Sequence, residues 1–265
     1  GDYRDDTAAE NSGQVHLFDA ASRSLLRTIQ NPNTTTPSNN RFGSAGDISD
    51  GRILVGATND GIGRAHLFDA SDGSLLHSFD DPTADNKDYF ASSVALDGNY
   101  IVIGAFEDDS LLPSAGQAYV FDATTGLLLH TLDNPEPNNM EWFGEAVAID
   151  GSRIVVGAML NRVDGQQIGE AYLFDAVSGD LVRTFEEPTP TEFDLFGHGV
   201  AIDGDHVLIG AYHHRNTELD IATGEAYLYH LAAGTPPVFD NQSLSVPENS
   251  ADGTVVGTLA ATDAD

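Results

Sequence analysis

The sequence predicts an all-β protein: four-stranded blades set in series as a β-propeller, followed by the opening strands of a separate β-unit. Three observations predict it. Sixteen residues beginning at Phe143, "FGEAVAIDGSRIVVGA", return at Phe196 as "FGHGVAIDGDHVLIGA", nine of them identical and three more swapped among Ile, Val and Leu. A second element, "FDA", places its Phe at 18, 68, 121 and 174, so the gaps are 50, 53 and 53 residues. A period near 50 falls in the range of propeller blades. No amphipathic stretch of helical period and useful length interrupts the pattern.

Each unit reads as four short strands. "GEAVAID" is the first, and Asp150-Gly151 makes a two-residue hairpin turn after it. "RIVVGA" is the second, a continuous apolar run that suits a sheet covered on both faces. A loop of variable length leads to the third, "EAYLFDA", and Ser178-Gly179 turns the chain into the fourth, "DLVRTF". Pro82, Pro135, Pro188 and Pro190 fall in the links, where a strand must end. The units span about 1–40, 41–88, 89–142, 143–195 and 196–234. The first lacks its "FG" half, and the last lacks its fourth strand. Either further blades precede Gly1, the reading favoured here, or the two partial units complete one blade together. One blade cannot bury both of its apolar faces, which gives a physical reason for the copying. The glycine of "VGA" (Gly56, Gly104, Gly157, Gly210) reads as a point of close backbone approach near the axis. The alternative is a ligand-lined channel.

Composition bounds the function. The chain of 265 residues carries 42 acids against 11 bases, a formal charge of −31, and its one lysine is Lys87. Such a surface repels nucleic acid and anionic lipid and suits divalent cations or a salty medium. Most of these acids read as solvated surface. There is no cysteine, so disulfides, thiolate metal sites and cysteine nucleophiles are excluded. No apolar run is long enough to span a membrane as a helix. The chain lacks an initial Met and stops within a motif, so it reads as a fragment.

The repeated "FGxxVAIDG…VGA" resembles the FG-GAP repeat of integrin alpha-chain propellers and their bacterial relatives, over residues 1–234. The resemblance implies a β-propeller, extracellular placement and a role in adhesion or display. Many FG-GAP blades carry a calcium loop of the form DxDxDGxxD between their first two strands. Here that place holds only "SDGR", "LDGNY", "IDGSR" or "IDGDH". A calcium ion needs about 6–8 oxygens, so Asp50, Asp97, Asp150 and Asp203 are read as turn formers. "FDAxxGxLL" is similar to the "DAxTGxxxW" repeat of quinone-binding propellers, but its docking tryptophan is missing; Trp142, the single Trp, lies in a link.

After Pro236-Pro237 the pattern changes. "VFDNQSLSVPENSADGTVVGTLAATDAD" resembles the opening of a cadherin domain, whose consensus runs V-x-E-N, then G-T-x-V, then A-T-D-x-D. By that resemblance Glu248, Asp263 and Asp265 are calcium ligands, completed by motifs further downstream. Residues 235–265 are thus read as a linker and a truncated cadherin-like domain.

Other constellations are weighed and set aside. His77 and His130 share a repeat slot with Arg27 and Arg183, which reads as a solvent-facing strand position. His16 and His66 align with Tyr119, Tyr172 and Tyr227 and read as packing residues with a polar tip. The adjacent pair His213-His214 reads as surface loop. Asp5-Asp6, Asn59-Asp60 and Asp108-Asp109 recur in one inter-strand loop, as a candidate acidic rim. No nucleophile elbow, zinc-protease motif or phosphate loop occurs. The expectation is a non-catalytic extracellular adhesion or structural module, secreted or at the cell surface. It would bind calcium through the cadherin-like part and take other proteins or cell-surface ligands as partners. No nucleic acid is expected, and there is room for a membrane anchor outside these residues. The rival reading is a propeller-scaffold enzyme, a hydrolase or quinone-dependent dehydrogenase.

Overall fold

A computed structural model describes residues 13–33, 40–60, 62–83, 88–216 and 221–231. The described residues form strands and turns without a helix. Strands β1 (Gln14–Phe18) and β2 (Leu25–Gln30) pair as a hairpin. Strands β3 (Phe42–Ser49), β4 (Arg52–Ala57), β5 (Arg64–Asp69) and β6 (Leu75–Asp80) form the first complete antiparallel sheet, in chain order. Strands β7 (Ser93–Asp97), β8 (Tyr100–Ala105), β9 (Gln117–Asp122) and β10 (Leu128–Asp133) repeat it. The third sheet holds β11 (Phe143–Asp150) and β12 (Arg153–Ala158). A loop hairpin, β13 (Arg162–Val163) and β14 (Gln166–Gln167), then precedes β15 (Glu170–Asp175) and β16 (Leu181–Phe185). The last sheet has β17 (Phe196–Asp203), β18 (His206–Ala211) and β21 (Glu225–His230), with a loop hairpin of β19 (Arg215–Asn216) and β20 (Ile221–Ala222). These are propeller-type blades. Among the described residues no strand pairing closes them into a ring.

The apolar clusters lie between blades, as a stack requires. Leu54, Leu67 and Phe79 meet Phe90, Ile101, Ile103 and Phe121 of the next blade. Val102, Val120 and Leu132 meet Phe143, Ile154, Val156 and Phe174. Val155, Leu173 and Phe185 meet Phe196, Val207, Ile209 and Tyr229. The second strand of each complete blade is buried from its second residue onward, the accessibility its unbroken apolar run implies.

Local chemistry explains the motifs. The Asp of "FDA" folds the outer hairpin: Asp122 Oδ1 accepts the Thr124 and Thr125 amides at 2.9 and 2.6 Å, and Asp175 repeats this with Val177 and Ser178. The "FG" glycine takes a left-handed conformation, φ 89° at Gly144 and 91° at Gly197. The "VGA" glycine is a close approach, as expected, but the approaching chain is the next blade. A Cβ on Gly104 would overlap the Gly144 carbonyl, and one on Gly157 would overlap that of Gly197.

Two readings of surface positions are corrected here. The Arg/His slot of the fourth strand is half-buried and engaged by the next blade, not simply solvent-facing. Arg27 donates to the Ser71 carbonyl at 2.6 Å, while His77 and His130 reach the Thr124 and Val177 carbonyls at 3.0 and 3.1 Å. Each partner is the outer turn of the following blade, so Arg and His interchange because both can donate across that gap. The inner-turn aspartates do more than form turns. Asp97 accepts the Gly151 amide at 2.6 Å, and Asp150 accepts the Gly204 amide at 2.7 Å, again one blade on.

Candidate functional site: buried polar clusters beneath the links

Beneath each link the blade carries a buried polar cluster built from four repeat positions. The first is the residue before the link proline: Asn31, Asp81, Asn134 and Glu187. The second lies two residues before the "FG" or "FA" phenylalanine: Asn40, Asp88, Glu141 and Asp194. The third is three residues past "GA": Asp60, Asp108, Asn161 and His214. The fourth is a ring on the third strand, His66, Tyr119, Tyr172 or Tyr227, all buried with their polar atoms pointing into the cluster. Where the link is described throughout, these side chains bind its backbone: Asn134 accepts the Glu136 amide at 3.1 Å, Glu141 the Asn138 amide at 2.6 Å and Asp194 the Thr191 amide at 2.5 Å.

Each cluster supplies its own hydrogen-bond donors differently. Around Asp60, Asn33 donates at 2.5 Å, Arg64 stands at 3.9 Å and His66 Nε2 at 3.5 Å. In the third sheet Asn134 donates to Glu141 at 2.8 Å, and Asn161 donates to Glu170 and to the Tyr172 hydroxyl. In the last sheet His214 Nδ1 lies 2.9 Å from Glu187 and 3.2 Å from Asp194, with Tyr227 donating to Glu187 at 2.8 Å. Burial pushes the Glu187 carboxyl up to about 7, and raises Glu141 and Glu170 above the ordinary carboxylate range. The same burial drives the Tyr119, Tyr172 and Tyr227 hydroxyls upward, so they remain donors at any physiological pH.

The second cluster is the exception. Asp81, Asp88 and Asp108 are 5%, 2% and 1% exposed, with oxygens within 4.8 Å of one another. Burial first, then the charges of Asp108 and Asp81, push the Asp88 carboxyl up to about 7. Glu187, Asp194 and His214 form a comparable group, but with a histidine inside it.

Several predicted sites land elsewhere. Asp60 and Asp108 are buried, so they form no acidic rim; of the Asp108-Asp109 pair only Asp109 is exposed, and Asp5-Asp6 lie outside the described residues. His214 is buried against two carboxylates rather than on a loop surface, whereas His213 is exposed. Adjacency to His213 hid this, because its partners lie 20 and 27 positions upstream. A signal was available: aligned on "GA", His214 falls in the slot of Asp60 and Asp108. His66 packs on the Phe42 ring at 5.9 Å with Nδ1 2.9 Å from Ser78, an apolar body with a polar tip. Glu248, Asp263 and Asp265 lie outside the described residues. The residues present do not fit the calcium loop of FG-GAP blades: the inner turns hold one aspartate apiece, or two in the last (Asp203 and Asp205), and those of Asp97 and Asp150 are engaged by backbone.

Three stretches of the chain, 82–121, 134–174 and 190–229, match the FG-GAP repeat family. Each runs from a link through the third strand of the blade that follows, and so takes in most of one buried cluster. The blade at 42–80 has the same strand order outside those matches. No curated protein matches the chain.

Proposed function

We propose that this chain is an extracellular adhesion or display module that binds other proteins or cell-surface ligands and performs no catalysis. The observation that carries the reading is the recurrence of FG-GAP blades, a repeat typical of extracellular proteins. Two further features support it. Two histidines, His66 and His214, and the acids Asp60, Asp81, Asp88, Asp108, Glu141, Glu187 and Asp194 are buried at recurring positions of the repeat. The outer strands instead present apolar pairs to solvent: Leu25-Leu26, Leu75-Leu76, Leu128-Leu129 and Leu181-Val182 are each 40–60% exposed. A repeated apolar ridge on so acidic a surface suits contact with a protein partner. Calcium enters this reading through Glu248, Asp263 and Asp265, in the segment that resembles the start of a cadherin domain.

The test is adhesion of beads coated with the full chain to cell layers, with and without calcium. Retention is expected to need calcium and to fall when Leu75 and Leu76 are both changed to Ser. Turnover of ester or glycoside substrates, or quinone-dependent dye reduction, by the same preparation would favour the enzyme reading instead.

A further inference from the structure

We propose that Asp81, Asp88 and Asp108 form a buried site for one hard divalent cation, calcium by its donor set, beneath the link between the first and second complete blades. This site uses none of the tail carboxylates or inner-turn aspartates, and it does not depend on the adhesion reading.

The cluster has fewer donors than its carboxylate oxygens need. Thr83 Oγ1 stands 2.8 Å from Asp81 Oδ1, 3.2 Å from Asp88 Oδ2 and 3.3 Å from Asp108 Oδ2. A hydroxyl has one proton and can donate to one of the three. The Tyr119 hydroxyl faces two acceptors, Asp108 Oδ2 at 2.6 Å and Gln117 Oε1 at 2.7 Å, with the same single proton. The Gln117 amide is turned away, donating to Asp133 at 2.6 Å. Backbone amides of Thr83 and Ser110 reach only Asp81 Oδ1 and Asp108 Oδ1. Asp81 Oδ2 is buried without any partner. A buried carboxylate oxygen with no donor costs free energy that a cation or a proton must offset.

The sister clusters show what is missing. At the same repeat positions they hold His66, Asn134 with Asn161, and His214, and Arg64 stands beside Asp60 in the slot of Gln117. Each brings an N–H donor or a positive charge among the carboxylates, even though Glu141 Oε1 and Glu187 Oε2 also end without partners. Among the described residues, no side-chain N–H bonds to Asp81, Asp88 or Asp108. The donor atoms are all oxygen, which selects a hard cation over zinc or copper. Two oxygens bound to one calcium at about 2.4 Å can stand no more than about 4.8 Å apart, and these lie within that limit. Thr83 Oγ1 and water would complete the shell.

The test uses the full chain carrying Glu248→Gln, Asp263→Asn and Asp265→Asn, so that tail carboxylates do not contribute. After removal of divalent ions with EDTA, calcium is titrated by calorimetry and the thermal midpoint is followed. One ion per chain and a raised midpoint are expected. Adding Asp81→Asn should weaken binding by on the order of 100-fold, yet leave the metal-free chain at least as stable, because a charge repulsion is gone. Asp109→Asn, on the exposed neighbour, should bind normally. Terbium luminescence sensitised through Tyr119 offers a second readout, lost in Tyr119→Phe. The proposal is overturned if the tail-substituted chain binds neither calcium nor magnesium, or if Asp81→Asn and Asp88→Asn keep the full stoichiometry. It is also overturned if Lys87→Gln, which removes the sequence neighbour of Asp88, destabilises the metal-free chain while no ion binds; the lysine would then be the counter-charge.

Discussion

Gly104 and Gly210 stand at the same place in the repeat, in "VIGA" and "LIGA", but their surroundings differ. A Cβ on Gly104 would overlap the backbone of the next blade, whereas on Gly210 the nearest atom, the Gly199 carbonyl, is 3.7 Å away. Backbone cannot yield as a flexible side chain can. Gly104→Ala is therefore expected to cost about 3 kcal/mol or more, and Gly210→Ala less than about 1 kcal/mol. Urea midpoints of the two variants decide this, and equal losses would contradict the inter-blade approach. The "FG" glycine has a different reason, its positive φ, and Ala91 shows the consequence. It holds φ 66° without being glycine, and its strand, β7, begins only at Ser93 instead of at the phenylalanine.

At the scale of elements, hairpin turns couple each blade to the next. Asp150 bonds the Gly204 amide, and Arg153 reaches the Gly204 carbonyl at 2.8 Å and Asp205 at 2.5 Å. Asp203 holds the same repeat position, with no following blade among the described residues. Asp150→Ala is expected to lose about 1–2 kcal/mol, the worth of a charge-assisted hydrogen bond, and Asp203→Ala under about 0.5 kcal/mol. Chemical denaturation of both variants would show the difference; a null result for Asp150 would remove the turn-to-turn bond from the account. The outer turns work alongside, through Arg27, His77 and His130. One repeat slot can thus vary between Arg and His and still make the same contact.

For the whole molecule, buried carboxyls give a pH dependence of definite sign. Asp88 and Glu187 are pushed up to about 7 in the folded chain, against about 4 when unfolded. Between those values the native state binds more protons. Stability therefore falls as pH rises from about 4 toward 7, and levels off above it. The exposed aspartates Asp19, Asp69, Asp72 and Asp122 behave oppositely. Hydrogen bonds from nearby Ser or Thr hold them below the ordinary value, so their contribution is lost as pH falls below about 4. Thermal midpoints in EDTA are expected to peak on the acid side of neutrality, and Asp88→Asn should flatten the slope between pH 5 and 8. A midpoint that rises steadily across that range would contradict the burial-driven shifts.

The strands, turns and blade period were legible in the amino-acid sequence, because alternation, turn residues and repetition are local properties that a chain displays along its length. The glycine of "VGA" was legible as a close contact for the same reason. What the tertiary structure decided is which side chains meet. Asp81, Asp88 and Asp108 are spread over 28 positions, and each looks like ordinary surface acid in a chain of 42 acids. His214 looked like loop, and Arg27, His77 and His130 looked solvated. The three aspartates, and His214 with Glu187 and Asp194, converge where one blade passes to the next, whereas Arg27, His77 and His130 meet the outer turn of the following blade. Burial of the carboxylate clusters then removes the water that would otherwise have satisfied their charges.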